Sequence, residues 1–449
     1  MKIGFVSLGC PKNQLDTEVM LYELVMEGFE ITPDETEADV VVINTCAFIE
    51  SAKQESIDTI LEIAQLKKEG LKAIIVTGCL AERYREDILN ELPEVDAVLG
   101  VGSIHEIAKT AKAVMEAKKL SKKSPRICSC LPNDEVELGG DRVLTTPEHY
   151  SYLKISEGCD NRCTYCAIPS IRGKFRSRPI EDLVREAKDL DELGVKELCI
   201  IAQDTTRYGE DIYGEYSLHK LLRRLTEETS IPWFRLLYCY PDKVTDELIA
   251  EMRDNDRIVK YIDMPLQHIS DRILKKMNRR GDSELIKGVI GKLRREIPDI
   301  VIRTTFIVGF PGETDEDFEK LCDFVHETRF DRAGVFTYSR EEGTPAYDMD
   351  GQVDEQVKLD RLDILMRDQL EINTALNEAK VGKTLPVIYE GFDEISQTHF
   401  GRTCGDAPEI DGKIYFKLRK RVPLAVGDIV KVEVTGVFDY DLMGVLISK

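Results

Sequence analysis

Uninterrupted apolar runs alternate with stretches of helical periodicity over the first part of the chain. Lys2 to Leu8 forms an apolar strand, and an amphipathic helix follows from about 13 to 27. Val40-Val41-Val42-Ile43 is a second strand, with a helix over about 51–68. Ala73-Ile74-Ile75-Val76 and Ala97-Val98-Leu99 are a third and a fourth, each leading into a helical pattern, near 82–92 and 104–116. Apolar runs without polar alternation belong to strands covered on both faces. Their alternation with helices predicts a doubly wound, Rossmann-like parallel sheet over residues 1–117.

Apolar residues thin out over 118–144. Lys118, Lys119, Lys122, Lys123 and Arg126 precede Pro132, Gly139 and Gly140 there, the pattern of a linker or edge excursion with a solvated basic face. Between 145 and 376 six strand runs (152–156, 197–202, 233–238, 261–264, 301–308, 333–338) alternate with helical patterns, and a helix over 354–379 closes the segment. Six β/α units are two fewer than a closed barrel uses, which predicts a partial, open (β/α)6 barrel. Over 377–449 the β-rich runs are short and punctuated by Gly and Asp, as in a small antiparallel barrel of the OB type. The fold class is therefore α/β with a β-barrel at the C-terminal end.

Charge and cysteine content add chemistry. The chain has 61 Lys and Arg against 83 Asp and Glu, a net charge of -22. Such a field repels a phosphate backbone and welcomes a basic protein. No apolar run approaches the roughly 18 residues of a membrane helix. The opening Met1-Lys2-Ile3-Gly4-Phe5-Val6 lacks the features of a signal peptide, so a cytoplasmic location is expected. Thiols stay reduced there, and the 12 cysteines point to metal or redox chemistry rather than disulfides.

Six of those cysteines sort into two triads. Gly158-Cys159-Asp160-Asn161-Arg162-Cys163-Thr164-Tyr165-Cys166 is a C-x3-C-x2-C run in the loop after the first barrel strand, on the face where such barrels build active sites. Three thiolates on one loop can hold three irons of a 4Fe–4S cluster and leave the fourth open to a small molecule. Zinc prefers four ligands, and no fourth Cys or His stands at regular spacing nearby. Cys10, Cys46 and Cys79 each follow a predicted strand, at intervals of 36 and 33 residues, about one βα unit each. A parallel sheet brings all three to its carboxyl edge, where open sheets bind ligands. A second cluster with an open iron follows; three buried structural thiols are the alternative.

The first triad, followed by Ala167-Ile168-Pro169, resembles the signature of the radical S-adenosylmethionine (SAM) superfamily. The resemblance implies that SAM chelates the open iron through its amino and carboxylate groups. An electron from the cluster then cleaves SAM to methionine and a 5′-deoxyadenosyl radical, which takes hydrogen from an unactivated carbon. Tyr165 matches the aromatic that lies near the adenine. Two triads on a Rossmann-like domain, a partial barrel and a small β-barrel resemble the methylthiotransferases of that superfamily, over essentially the whole chain. That likeness implies an auxiliary cluster on residues 1–117, a radical SAM core at 145–376 and a substrate-engaging TRAM domain at 377–449. It also implies insertion and methylation of sulfur at a C–H bond, with a reductant and a sulfur source.

Within that family, Ser7-Leu8-Gly9-Cys10-Pro11-Lys12-Asn13 and the acidic run Asp406-Ala407-Pro408-Glu409-Ile410-Asp411-Gly412 resemble the RimO-type branch. That branch modifies the β-carbon of an aspartate in ribosomal protein S-twelve, and an acidic chain suits such a basic partner. The alternatives are a tRNA adenosine methylthiotransferase, MiaB- or MtaB-like, and a non-catalytic iron–sulfur scaffold on the ribosome. Lys417-Leu418-Arg419-Lys420-Arg421 leaves room for ribosomal RNA contacts or is a solvated β-surface, and a flavodoxin or ferredoxin is the expected electron donor. Ile307-Val308-Gly309-Phe310-Pro311-Gly312-Glu313-Thr314 resembles the family's SAM-contacting segment, which implies contacts from its backbone at Gly309 and from Arg303; a tight strand-to-helix turn is the alternative. Gln203-Asp204 ends the second barrel strand and either holds the ribose or amino group of SAM or makes a hydrogen-bonded turn. His268, at the end of the fourth barrel strand, either faces the mouth or, as is more common for a lone His, is structural. Arg172, Lys174, Arg176 and Arg178 either offset cluster and substrate charge or are solvated. Cys128, Cys130, Cys199, Cys239, Cys322 and Cys404 read as bystanders.

Overall fold

The apolar runs at 40–43 and 73–76 become strands buried at every position, as an unalternating pattern requires. They lie in a computed structural model that describes residues 1–120, 126–133, 136–420 and 422–449. Lys122 and Lys123 of the first basic run and Arg421 of the second lie outside the described residues. The chain divides into two units. The first comprises Met1–Thr145, Ser156–Arg176 and Ser339–Tyr347; the second comprises Thr146–Ile155, Ser177–Tyr338 and Asp348–Lys449.

The first unit is a parallel sheet of β1 (Lys2–Ser7), β2 (Glu30–Thr32), β3 (Val40–Thr45), β4 (Ala73–Gly78), β5 (Ala97–Leu99) and β6 (Ile127–Ser129), in the order β2-β1-β3-β4-β5-β6. Alternate strand residues feed two cores. Ile43, Ile74, Val76 and Val98 pack with Ile60, Ile63 and Leu80 on one face. Val40, Val42, Ile75 and Leu99 pack with Met20, Leu24, Ile107 and Ala111 on the other. The two edge strands, β2 and β6, are absent from the hydropathy reading. Each has three residues and little apolar content, as short edges do. β6 lies inside the stretch read as a linker and pairs Ala97 with Ile127.

The loop after the first barrel strand groups with this sheet rather than with the barrel. Ala167 and Ile171 enter the same core as Cys79, Leu80 and Ala81, and Arg172 is buried in ion pairs with Asp16 and Glu157.

The second unit holds β7 (Tyr150–Lys154), β8 (Glu197–Ile201), β9 (Trp233–Leu236), β10 (Ile258–Asp263), β11 (Val301–Val308) and β12 (Arg332–Thr337). They form one six-stranded parallel sheet in sequence order, without closure between β12 and β7. The helix Glu355–Glu378 packs on its end, with Gln369 Nε2 donating to Phe330 O at 2.9 Å and Asn373 Nδ2 to Asp331 O at 2.8 Å. A closed five-stranded barrel follows, from β13 (Thr384–Asp393), β14 (Thr398–Thr403), β15 (Ile414–Lys417), β16 (Ile429–Phe438) and β17 (Asp441–Ser448). Its pairings are antiparallel apart from β15 with β17. β14 escaped the sequence reading because Gly401 sits where a side chain belongs: a Cβ there would lie 2.1 Å from Ile388 O.

The run Asp406 to Gly412 is turned inward. Asp406 Oδ1 accepts from Arg332 Nη2 at 2.5 Å, and Asp411 Oδ2 accepts from the Tyr261 hydroxyl at 2.7 Å. Glu409 Oε1 accepts from the Tyr150 hydroxyl at 2.8 Å. Arg402 bridges Glu197 at 2.7 Å and Glu390 at 2.6 Å. Tyr150, Glu197 and Arg332 open β7, β8 and β12, so the loop stops the amino-terminal end of the open sheet. These carboxylates serve docking, and the charge argument for a basic partner does not draw on them. Among the described residues, no helix is long and apolar enough to cross a membrane.

Candidate functional site

β1, β3 and β4 are neighbours, with Ser7 opposite Asn44 and Thr45 opposite Gly78. Cys10, Cys46 and Cys79 therefore leave the same carboxyl edge. Cys10 precedes the helix Pro11–Met26, whose first residue is a proline preset for a helix start. Asn13 laces the edge together: its Nδ2 donates to Leu8 O at 2.7 Å and Thr45 O at 3.3 Å, and its own carbonyl accepts from Asn44 Nδ2 at 2.7 Å. Gly9 has φ +90°, and a Cβ there would stand 2.9 Å from Cys46 Cβ and 3.1 Å from its Sγ. Only glycine lets the first cysteine's loop rest on the second. Ser56 fixes Cys46, accepting from its N–H at 3.1 Å and donating to its carbonyl at 3.0 Å.

Burial pushes the Cys79 thiol up to about 12, with Arg172 opposing and Cys10 and Cys46 adding to the rise. Burial also raises Cys46, and Cys10 adds to it. Three thiols gathered where an anion is poorly tolerated suit a cationic metal group that neutralises them. Among the described residues, no three His, Cys, Asp or Glu side chains converge closely enough for a single metal ion. A polynuclear cluster spreads its ligands and needs no such convergence.

In the other triad Cys159 and Cys163 are buried and Cys166 is half-buried. Gly158, at φ +78°, leaves no room for a side chain: a Cβ would lie 2.0 Å from Lys174 O. Cys159 N donates to Gly173 O at 3.2 Å, and Cys166 N to Cys163 O at 3.1 Å, which folds the run into a compact turn. Arg162 between them adopts the left-handed region at φ 52°. Ala346 N donates to Thr164 O at 2.9 Å, so the segment Ser339–Tyr347 lies on this turn. Glu341 anchors that segment, with its carboxylate 2.8 Å from Arg83 Nη1 and 3.2 Å from Lys53 Nζ. Tyr165 is half-buried.

The expected SAM contacts lie in the second unit. Gln203 and Asp204 follow β8, and Asp204 is buried against Lys243 Nζ at 2.8 Å. Arg303 in β11 donates to Asp263 Oδ1 at 2.7 Å. Gly309 follows β11 at φ +73°, where a Cβ would meet Lys358 Cγ at 2.2 Å. Phe310 N donates to Glu313 Oε2 at 3.1 Å. His268 is structural: its Nδ1 accepts from the N–H groups of Ile269 and Ser270 at 2.9 and 3.0 Å. Burial pushes it down to about 3 and keeps it neutral.

The basic residues after the cysteine turn divide. Arg176 donates to Val136 O at 2.7 Å and Asn133 O at 2.5 Å, and Arg178 donates to Lys154 O at 3.0 Å. Arg172 instead reaches Cys79 Sγ at 3.5 Å. Its partners are Asp16, Asn13 and Glu157; sequence reasoning missed Asp16 and Glu157, and no local signal pairs Arg172 with Asp16 across 156 residues. Cys128 and Cys130, read as bystanders, have Sγ atoms 3.8 Å apart.

Three family models tile the chain: uncharacterized protein family UPF0004 over residues 2–100, the radical SAM superfamily over 153–325 and the TRAM domain over 381–447. The ribosomal protein uS12 methylthiotransferase RimO of Acetivibrio thermocellus is 49% identical over 449 residues, spanning 100% of this chain and 99% of that protein. The chain belongs to the RimO family of radical SAM methylthiotransferases. The RimO protein of Thermoanaerobacter sp. (strain X514) is 51% identical over 442 residues, 98% of this chain and 99% of its own. The radical SAM methyltransferase TsrM of Kitasatospora setae, solved with cobalamin and a [4Fe-4S] cluster, superposes with a TM-score of 0.56 at 16% identity. It covers 77% of this chain and 76% of its own, a likeness of fold. Membership makes this methylthiotransferase an enzyme whose family works with SAM and a 4Fe–4S cluster.

Proposed function

We propose that this methylthiotransferase modifies the small-subunit ribosomal protein uS12, at the β-carbon of an aspartate, with two 4Fe–4S clusters. Cys159, Cys163 and Cys166 hold the SAM-binding cluster; Cys10, Cys46 and Cys79 hold the auxiliary one. The substrate reading is carried by full-length identity of 49% and 51% to proteins bearing that name. The second cluster is supported by three thiols at adjacent strand ends with glycine where a side chain would intrude. Bound there, the clusters supply the electron that opens SAM and the metal at which sulfur is handled.

The chain's own residues bind and orient. Ser56 fixes Cys46, Gly9 clears space beside it, and Glu341 presses the segment Ser339–Tyr347 onto the turn between Cys163 and Cys166. Burial of Cys159 and Cys163 excludes water from their sulfurs. Tyr165, Gln203 and Gly309 are assigned to SAM. Asp204 and Arg303, also assigned to SAM, are ion-paired with Lys243 and Asp263. The enzyme works in the cytoplasm with a flavodoxin or ferredoxin as reductant, and exposed Lys417, Arg419 and Lys420 can meet ribosomal RNA.

Anaerobic incubation with SAM, dithionite and sulfide, offering uS12 (free and within the small subunit) and tRNA, tests the reading by mass spectrometry. A methylthio increment on a uS12 aspartate is expected; the increment on tRNA alone overturns the substrate. Reconstituted protein is expected to hold about eight irons. Four or fewer, unchanged by Cys10→Ala, overturns the second cluster.

A further inference from the structure

Arg172 ends the short helix Ile168–Arg172, six residues past the last cysteine of the C-x3-C-x2-C run, and is 2% exposed. Its guanidinium turns toward the other triad. Nη1 donates to Asp16 Oδ2 at 2.5 Å and to Glu157 Oε2 at 3.4 Å. Nη2 donates to Asn13 Oδ1 at 3.1 Å and to Cys79 Sγ at 3.5 Å. Each partner belongs to one triad's framework. Asn13 and Asp16 lie in the first two turns of the helix that starts after Cys10, and Glu157 stands two residues before Cys159. Only a planar fork with five donors reaches four such acceptors at once; a lysine ammonium cannot.

We propose that Arg172 is a positioning residue that couples the two triads and tunes the auxiliary one. It clamps the C-x3-C-x2-C turn to the sheet edge and, by donating to Cys79 Sγ, raises the reduction potential of the cluster held by Cys10, Cys46 and Cys79. A donor and a positive charge beside a ligating sulfur stabilise the more negative, reduced state. Asp16 and Glu157 keep the guanidinium charged and aimed while they are buried themselves. The proposal rests on the two-cluster reading.

The test uses the full-length chain with Cys159, Cys163 and Cys166 replaced by Ala, so that only the auxiliary cluster is loaded. Iron is counted, and the cluster is titrated electrochemically with detection by electron paramagnetic resonance. About four irons are expected. Arg172→Gln is expected to lower the ratio of reduced to oxidised cluster at fixed potential at least tenfold, about 59 mV for a one-electron couple. Arg172→Lys, which keeps the charge but not the fork, is expected to fall between. Equal potentials in parent and variants overturn the inference, because a purely structural ion pair would change stability and leave the potential alone. If Arg172→Gln takes up no iron, Arg172→Lys decides by the same criterion. A background that holds no iron before Arg172 is touched overturns the two-cluster reading instead.

Discussion

Asp406→Asn keeps the shape of a side chain and removes its charge at the joint between the C-terminal barrel and the six-stranded sheet. The Asp406 and Arg332 side chains are 4% and 7% exposed. Asp406 Oδ1 accepts from Arg332 Nη2 at 2.5 Å and Oδ2 accepts from Thr403 Oγ1 at 2.5 Å. An amide preserves hydrogen bonds to both partners but leaves a buried guanidinium short of an anion. Removing one partner of a buried pair costs about 3–5 kcal/mol. Asp411, which also acts on Arg332, moderates the loss, so about 3 kcal/mol is expected. Urea unfolding followed by fluorescence reads it well, because the single tryptophan, Trp233, opens β9 opposite Glu197, which Arg402 grips. Glu394→Gln, on an exposed turn, serves as control and is expected within about 0.5 kcal/mol of the parent. The pH dependence has a definite sign. Burial alone would raise the Asp406 carboxyl, but Arg332 and then Lys380 hold it below its ordinary value. The pair's stabilisation is therefore present above the ordinary carboxylate range of about 4 and lost as pH falls below it, so the deficit of the variant shrinks there. A loss under about 0.5 kcal/mol at neutral pH refutes the reasoning. So do additive losses for Asp406→Asn and Arg332→Met, since partners in contact should couple.

Gly9→Ala forces a Cβ to 2.9 Å from Cys46 Cβ at a φ of +90°. About half the reconstituted iron should be lost, with SAM cleavage to 5′-deoxyadenosine retained; full iron content would contradict the packing. Gly309→Ala, whose Cβ would fall 2.2 Å from Lys358 Cγ at φ +73°, should destabilise by about 1–3 kcal/mol in thermal melting. Glu313 is pushed up to about 7 by burial, with Arg361 opposing. The folded state thus holds a proton that the unfolded state has lost, and stability falls as pH rises from about 4 to 7. Between pH 5 and 8 Glu313→Gln should gain on the parent by up to about 3 kcal/mol in unfolding free energy, and parallel pH profiles would refute it.

The strands that bury both faces were legible because apolar runs such as Val40-Val41-Val42-Ile43 admit no other reading. So were the six strands of the open sheet and the position of each cysteine relative to its strand. The edge strands β2 and β6 were not, because a three-residue edge needs little apolar surface. β14 was hidden by Gly401, where a neighbouring strand's backbone takes the place of a side chain. At the site, spacing along the chain supplied the sulfurs but not what touches them. Arg172 meets Asp16 and Cys79 across 156 and 93 residues, and such pairings follow from tertiary packing alone. The inward turn of Asp406 and Asp411 was illegible for the same reason: acidic residues in a Gly- and Pro-containing run look solvated until Arg332 and Tyr261 are found beneath them.

The first unit is discontinuous, and this bears on how the protein is made. Its sheet uses residues up to 129, but its cysteine turn lies at 156–176 and the segment resting on that turn at 339–347. On the ribosome the sheet can form early, since its contacts are local in βα units. The Cys159–Cys166 turn, however, waits for Glu341 and Ala346, which emerge nearly two hundred residues after the turn itself. A nascent chain therefore exposes three thiols without their covering segment while the stretch from Cys166 to Glu341, about two fifths of its length, is added. Chimeras or truncations cut at the conventional domain borders would strand that turn from the unit it folds with.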